Sequence, residues 1–197
     1  MKFLTLDFET SGLNSQYDYI LQVGAAVMDD QGNVLATFSR RITPPAKLKV
    51  SLEAIAVQMG DVTPDTLKTW YSRLVNDSGS SRDVFLEFQA WVKEYEAGSL
   101  PVVAWNAAFD HGFWGQWMFA QKTVANGSVI SPTWTCAMAE AQNRPLGVRT
   151  YGLDMVARAV GAGDRPAAHD ALVDAVLAGT VYGRLLRGIY SAEQVTA

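Results

Sequence analysis

An apolar, strand-like run near the start of the chain carries two acidic residues two positions apart: Phe3, Leu4, Leu6 and Phe8 surround Asp7 and Glu9. Side chains of a strand alternate between faces, so Asp7 and Glu9 point to one side while Phe8 points into a core. A fold built on this strand must hold two carboxylates side by side. Ionised carboxylates at that spacing repel and shift each other's pKa unless a cation lies between them. Asp-x-Glu on a strand therefore reads as half of a divalent-metal site. The plainer reading, a solvated strand end, is common for so short a motif and is decided by the rest of the chain.

Residues 19–28 read as a second strand through Ile20, Leu21, Val23, Ala25 and Val27. Asp29-Asp30-Gln31-Gly32-Asn33 is turn chemistry, and residues 34–42 alternate as a third strand. The N-terminal third is thus an antiparallel meander, ended by Pro44-Pro45. Residues 51–59 have helical spacing, and a second helix starts with Thr63 as N-cap and Pro64 in its first position. Residues 76–81 form a Ser/Gly-rich loop. Val84, Phe85, Phe88, Trp91, Val92 and Tyr95 then mark an amphipathic helix. Residues 101–105 read as a short buried strand, and helical patterns follow at 107–122, 134–142, 150–160 and 170–187. A meander followed by alternating strands and helices predicts an α/β fold, a mixed sheet with helices on its faces. Without internal repeat or linker, residues 1–197 are expected to form a single domain.

The apolar fraction of 49% is ordinary for a globular protein, and no apolar run is long enough to span a bilayer. The N-terminus lacks the apolar region and cleavage site of a secretory signal. A single cysteine, Cys136, rules out an intramolecular disulfide and fits a reducing cytosol, so a cytoplasmic location is expected. Cys136 itself reads as a small buried apolar residue. The net charge is -4, and the cations Arg40, Arg41, Lys47, Lys49, Arg144, Arg149 and Arg165 are dispersed. A sequence-independent nucleic-acid binder carries a basic stripe, and this chain has none. Were it to act on nucleic acid, bound metals would have to supply part of the positive charge.

Two further acidic clusters stand where this topology can bring them to the first. Asn106-Ala107-Ala108-Phe109-Asp110 follows the strand at 101–105 and puts Asp110 in a first helical turn, where an Asp also suits the helix dipole without any function. The other is His169-Asp170-Ala171-Leu172-Val173-Asp174. Residues five apart on a helix differ by about 140°, so His169 and Asp174 would not share a helical face. With Asp170 as N-cap, His169 lies in the preceding loop and can swing towards whatever Asp174 faces. A His beside an N-cap is ordinarily surface. Asp174, however, lies in an apolar stretch where an unpaired buried carboxylate would be costly. Asp7, Glu9, Asp110 and Asp174 together suit a hard divalent cation such as Mg²⁺. Two such ions about 4 Å apart can activate a water and stabilise the leaving oxygen of a phosphodiester. His169 has the pKa to take the proton from that water. The chemistry these residues read as is metal-assisted phosphodiester hydrolysis.

These motifs resemble those of the DEDDh family of 3′-5′ exonucleases, the DnaQ-like branch of the ribonuclease H-like fold. The first is Asp7-Phe8-Glu9-Thr10-Ser11-Gly12-Leu13, the second Asn106-Ala107-Ala108-Phe109-Asp110 and the third His169-Asp170-Ala171-Leu172-Val173-Asp174. Tyr151-Gly152-Leu153-Asp154-Met155-Val156-Ala157 is similar to the helix before the family's third motif. The resemblance runs from residue 3 to about 186, with the motifs in family order. It implies a ribonuclease H-like mixed sheet of five strands, the first three antiparallel and the rest parallel, flanked by helices. It implies Asp7, Glu9, Asp110 and Asp174 as ligands of two Mg²⁺ or Mn²⁺ ions, and His169 as general base. It further implies a 3′-terminal nucleotide lying against Thr10, Ser11, Gly12 and Leu13, with Leu13 on the terminal base and Asn106 and Phe109 lining the same end. For Leu13 and Phe109, ordinary core packing is the competing reading.

The implied activity is hydrolysis at the 3′ ends of single-stranded DNA or RNA, DNA favoured, releasing nucleoside 5′-monophosphates, with a polymerase as a candidate partner. An exoribonuclease with the same site and a non-catalytic nucleic-acid-binding module are the alternatives. One departure is Trp105, where family members often carry His before the Asn of the second motif. Trp105 and the segment Thr63-Pro64-Asp65-Thr66-Leu67-Lys68-Thr69-Trp70 are similar to a phage and prophage-associated branch. His111 reads as incidental, since His169 fills the family role.

Overall fold

β1 (Lys2–Thr10), β2 (Ile20–Asp29) and β3 (Val34–Ile42) form the expected antiparallel meander. The computed structural model describes residues 1–45, 50, 52–59, 62–122, 129–165 and 169–190; Lys47 and Lys49 lie outside these. The turn between β2 and β3 closes on Asp29, whose carboxylate accepts the N–H groups of Gln31 and Asn33, both at 2.9 Å. Gly32 takes the left-handed conformation there, with φ 90°, at no steric cost.

β5 (Val102–Ala104) runs parallel to β1, pairing Leu4 with Val102 and Thr5 with Val103. β6 (Trp134–Cys136) runs parallel to β5, and β4 (Ser78–Gly79) pairs parallel with the end of β3. The sheet is mixed, as expected, but among the described residues has six strands rather than five, in the order β4-β3-β2-β1-β5-β6. β4 falls in the span read as a loop, and β6 at the start of a span read as helix 134–142. Both are too short to show alternation, and pairing with a neighbour fixes their conformation. The helix in that span, α5 (Ala137–Gln142), begins only after β6.

The other helices are α1 (Leu52–Met59), α2 (Pro64–Asn76), α3 (Ser81–Glu94), α4 (Ala107–Ala120), α6 (Leu153–Ala159) and α7 (Ala171–Leu186). At the start of α2, Thr63 accepts from the N–H of Thr66 at 3.1 Å and Pro64 occupies the first turn, as its sequence predicts.

β1 is buried on both faces. Leu4, Leu6 and Phe8, with Val23 and Ala25 of β2, pack against Phe85 and Phe88 of α3 and Trp114 and Trp117 of α4. Phe85 and Trp117 meet edge to face at 4.9 Å between centroids, while Phe85 stacks on Trp114 at 5.9 Å. The opposite face carries Phe3, whose ring meets Tyr182 of α7 edge-on at 5.3 Å. α7 lies close to the strands because its contact residues are small. A Cβ on Gly179 would come within 2.5 Å of Thr5 Cγ2. Gly24 of β2, the register partner of Asp7, is tighter still: a Cβ there would lie 2.1 Å from the carbonyl carbon of Ala171. Directly opposed residues share a face, so Gly24 seats the first turn of α7 beside Asp7.

Candidate active site

Three element ends converge on that spot. β1 presents Asp7 and Glu9 on the α7 face, just before a register irregularity between Glu9 and Thr10. β5 stops at Ala104 and the chain turns into α4, leaving β1 without a strand neighbour on that side. The N–H of Phe8 donates instead to Asp110 Oδ1 at 3.2 Å, which fixes the second motif against the first. Asp170 caps α7, its Oδ1 accepting from Leu172 N–H at 3.1 Å and Val173 N–H at 3.3 Å. Its other oxygen accepts from Gln22 Nε2 of β2 at 2.9 Å, tying the helix start to the sheet. Asp174, one turn on, points into the site and is 1% exposed.

His169 stands in the loop before the cap, the position its sequence predicts. Its Nδ1 lies 3.8 Å from Asp174 Oδ2 and 4.0 Å from Glu9 Oε1. Among the described residues, ligand atoms of Glu9, His169 and Asp174 all fall within 4.8 Å of one another. Asp7 and Asp110 adjoin this group through β1 and the Phe8 bond. The cleft beside it, about 840 Å³, is lined by Glu9, Leu13, Phe109, Arg165, His169 and Asp174 among others. A second cavity of about 550 Å³ opens on the Asp110 side, between Asp7, Trp105, Asn106 and Tyr151.

Arg165 is the residue that sequence reasoning missed, passed over as one dispersed cation. Its Nε donates to Asp174 Oδ1 at 2.7 Å and its Nη2 donates to Asp174 Oδ2. The same Nη2 reaches His169 Nδ1 at 2.9 Å. Guanidinium has no acceptor, so His169 must offer a lone pair at Nδ1 and carry its proton on Nε2.

The electrostatics are those of a cluster short of positive charge. Burial, then the charges of Asp110, Glu9 and Asp174, push the Asp7 carboxyl well above its ordinary range. Burial, then Asp174, pushes Glu9 up to about 8, and burial pushes Asp110 up to about 7 against the Phe8 hydrogen bond. Burial acts against the Arg165 charge, but the Asp174 hydrogen bond and the nearby carboxylates outweigh it and raise its pKa. Burial, then the Arg165 charge, lowers His169, so its ring is neutral at pH 7. Among the described residues, the Arg165 guanidinium faces the carboxylates of Asp7, Glu9 and Asp174. Oxygen donors of that charge, with a cation already drawn among them, fit a divalent metal ion.

The segment after Glu9 is braced from both sides. Gln58 Nε2 donates to Thr10 O at 3.0 Å, and Trp70 Nε1 donates to Gln58 Oε1 at 2.8 Å. Asp18 accepts from Asn14 N–H at 2.8 Å and from Ser11 Oγ at 3.3 Å. Thr10, Ser11 and Gly12 are buried, whereas Leu13 is 88% exposed at the loop tip. Leu13 is not core. Phe109 is half-buried, packed on Phe113 at 4.9 Å yet lining both cavities, and Asn106 is exposed. His111 meets the edge of Trp134 at 5.2 Å, away from the cluster. Cys136 is half-buried rather than buried, and its thiol donates to the Trp105 carbonyl at 3.3 Å.

An exonuclease family model, RNase T, matches residues 4–182, and so covers the strands, α4 and α7 that build this cluster. The chain belongs to the exonuclease family. The DEDDh resemblance carried by the three motifs agrees with that assignment, and so does a mixed sheet of ribonuclease H-like type. This exonuclease is 32% identical over 111 residues to the PolC-type DNA polymerase III of Staphylococcus haemolyticus, and equally to that of Staphylococcus aureus. Those 111 residues are 56% of this chain but 6% of either polymerase.

Among solved structures, the nuclease domain of 3′hExo, a DEDDh family member bound to rAMP, superposes with a TM-score of 0.65 at 15% identity. The alignment covers 95% of this exonuclease and 92% of that chain. Exonuclease I from Methylocaldum szegediense gives 0.68 at 19% identity, over 95% of this exonuclease and 40% of that chain. Exonuclease I of E. coli, in complex with a dT13 oligonucleotide, gives 0.67 at 18%, over 95% and 41%. At such identities the likeness is one of fold. Among the described residues, no helix is long and apolar enough to cross a membrane.

Proposed function

We propose that this chain is a metal-dependent 3′-5′ exonuclease that removes nucleoside 5′-monophosphates from the 3′ ends of single-stranded DNA. The observation that carries the reading is that Asp7, Glu9, His169 and Asp174 line one cleft, with Asp110 fixed beside them by the Phe8 hydrogen bond, and that among the described residues the cation drawn among these carboxylates is the Arg165 guanidinium. Asp7, Glu9, Asp110 and Asp174 would hold two Mg²⁺ or Mn²⁺ ions. The chemistry those ions supply is activation of the attacking water and stabilisation of the leaving oxygen.

The chain's own residues do the rest. His169, neutral at pH 7 with its Nδ1 lone pair facing the carboxylates, takes the proton from the attacking water. Thr10, Ser11 and Gly12 present backbone to the terminal nucleotide, and the exposed Leu13 packs on its base with Phe109 opposite. Apolar walls of this kind accept any base. Asn106 lines the exit on the Asp110 side. The braces from Gln58 and Asp18 hold the loop in place, so positioning costs little on binding. DNA is favoured because the matching segment of the Staphylococcus relatives lies within DNA polymerases, which also makes a polymerase a partner to test. The lone cysteine accords with a cytoplasmic location.

Matched DNA and RNA oligonucleotides, each with a free or a blocked 3′ end, test the reading in Mg²⁺ or Mn²⁺. Shortening of the free-ended DNA with survival of the blocked one is the expected result. Faster loss of the RNA would make the enzyme an exoribonuclease, and survival of every oligonucleotide would leave a non-catalytic binding module.

A further inference from the structure

Arg165 holds the groups that the proposed chemistry needs free. Its guanidinium engages both carboxylate oxygens of Asp174 and, through the same Nη2, the Nδ1 of His169. Asp7 and Glu9 face it as well, and it is 18% exposed. The residue before it, Asp164, is tied to α6 by an Arg158 Nε bond of 2.9 Å. A guanidinium in this place balances part of the carboxylate charge when nothing else does. It also excludes other ligands from Asp174 and occupies the lone pair of the proton acceptor.

We propose that Arg165 is a resident counter-cation that a divalent ion must displace, so that metal binding and the release of His169 are one event. The proposal rests on the metal-dependent reading above. The metal-free protein is then held in a form that is neutralised but inactive, with Asp174 and His169 masked together. A divalent ion gains the carboxylates and loses the free energy of the bonds that Arg165 makes. Charge-assisted bonds of that kind are worth enough to weaken metal affinity about tenfold or more. Arg165 lines the cavities on both sides of the cluster, so there is open space beside the guanidinium for it to move into.

The test is calorimetric titration of Mn²⁺ into the EDTA-stripped 197-residue chain at pH 8.5, where protons compete less than at neutral pH, comparing wild type, Arg165→Gln and Arg165→Lys. Arg165→Gln should bind Mn²⁺ at least about tenfold more tightly. Its metal-free form should melt at a lower temperature than wild type, with a larger rise on adding Mn²⁺. Arg165→Lys keeps the charge but cannot grip both oxygens, so its affinity should fall between the two. It also serves if Arg165→Gln fails to fold. As an independent readout, the ¹⁵N resonance of His169 Nδ1 should move when Mg²⁺ is added to wild type, as the Arg165 bond breaks. Equal or weaker Mn²⁺ binding by Arg165→Gln and Arg165→Lys, with wild type binding normally, overturns this proposal alone. Absence of Mn²⁺ binding in wild type and variants overturns it together with the metal-dependent reading.

Discussion

Asp110 of α4 and Phe8 of β1 lie 102 positions apart in the chain and are joined by a 3.2 Å hydrogen bond from the Phe8 N–H to the Asp110 carboxylate. One side chain thus closes a gap in the sheet and supplies the site with a carboxylate.

The two roles separate by substitution. Asp110→Asn keeps an oxygen for the Phe8 N–H and removes a carboxyl whose pKa burial raises to about 7. It should lose nuclease activity while its metal-free form at pH 8 melts no lower than wild type. Asp110→Ala leaves the N–H without a partner and should cost about 1–3 kcal/mol. Thermal melts beside a nuclease assay check this; equal stability of the two variants would contradict the structural role.

Gly24 makes a site residue of a position with no side chain. A Cβ at Gly24 would meet Ala171 and Leu172 backbone atoms at 2.1–2.3 Å, and backbone cannot step aside. Gly24→Ala should push the start of α7, with Asp170 and Asp174, off β2. A loss of about 1–3 kcal/mol is expected, as for overpacked cores, together with a marked drop in activity. Chemical denaturation and the nuclease assay measure both. A stable, fully active variant would show that α7 can shift without harm.

Much of this was legible beforehand, and what was not has a physical reason. The meander, its Asp29–Asn33 turn and the Thr63 cap rest on local chemistry, and the structure has them. Asp174 stood out because a carboxylate among Ala171, Leu172, Val173, Ala175 and Val176 needs a partner. Trp134-Thr135-Cys136 read as helix because three residues carry no period. Arg165 and Gly24 were invisible because each matters through a contact made by the closed fold: Arg165 through Asp174 and His169, Gly24 through the backbone of Ala171.

The carboxylates also set a pH dependence. Glu9 has an ordinary pKa of 4.5 and a folded value of about 8, and Asp110 rises from 3.8 to about 7. Between those values the folded state binds more protons than the unfolded one. Stability of the metal-free protein therefore falls as pH rises from about 4 to about 8, with the raised Asp7 carboxyl adding to the fall and the lowered His169 pKa opposing it just below 6.5. Melting in EDTA at steps from pH 5.5 to 8.5 should follow that slope, and Mg²⁺ should raise the melting temperature most at the alkaline end. A melting temperature that climbs with pH in EDTA would contradict the electrostatic picture.

Leu13 separates binding from folding. At 88% exposure it contributes little to the core, so Leu13→Ala should change stability by less than about 0.5 kcal/mol. If it packs on the terminal base, KM for an oligonucleotide should rise several-fold with kcat less affected. An unchanged KM would remove Leu13 from the nucleotide seat.

Hydrolysis of a 3′-terminal phosphodiester by this carboxylate and histidine cluster, with divalent metal, can be followed directly. The most direct measurement is release of label from a 3′-labelled DNA oligonucleotide in Mg²⁺ or Mn²⁺ by wild type, Asp174→Ala and His169→Ala. The wild type should release labelled nucleoside 5′-monophosphate and stop when EDTA is added. Asp174→Ala should release none, and His169→Ala should be slower by roughly 10²–10⁴. Label release by Asp174→Ala at the wild-type rate, or release that persists in EDTA, would contradict metal-dependent hydrolysis at this cluster.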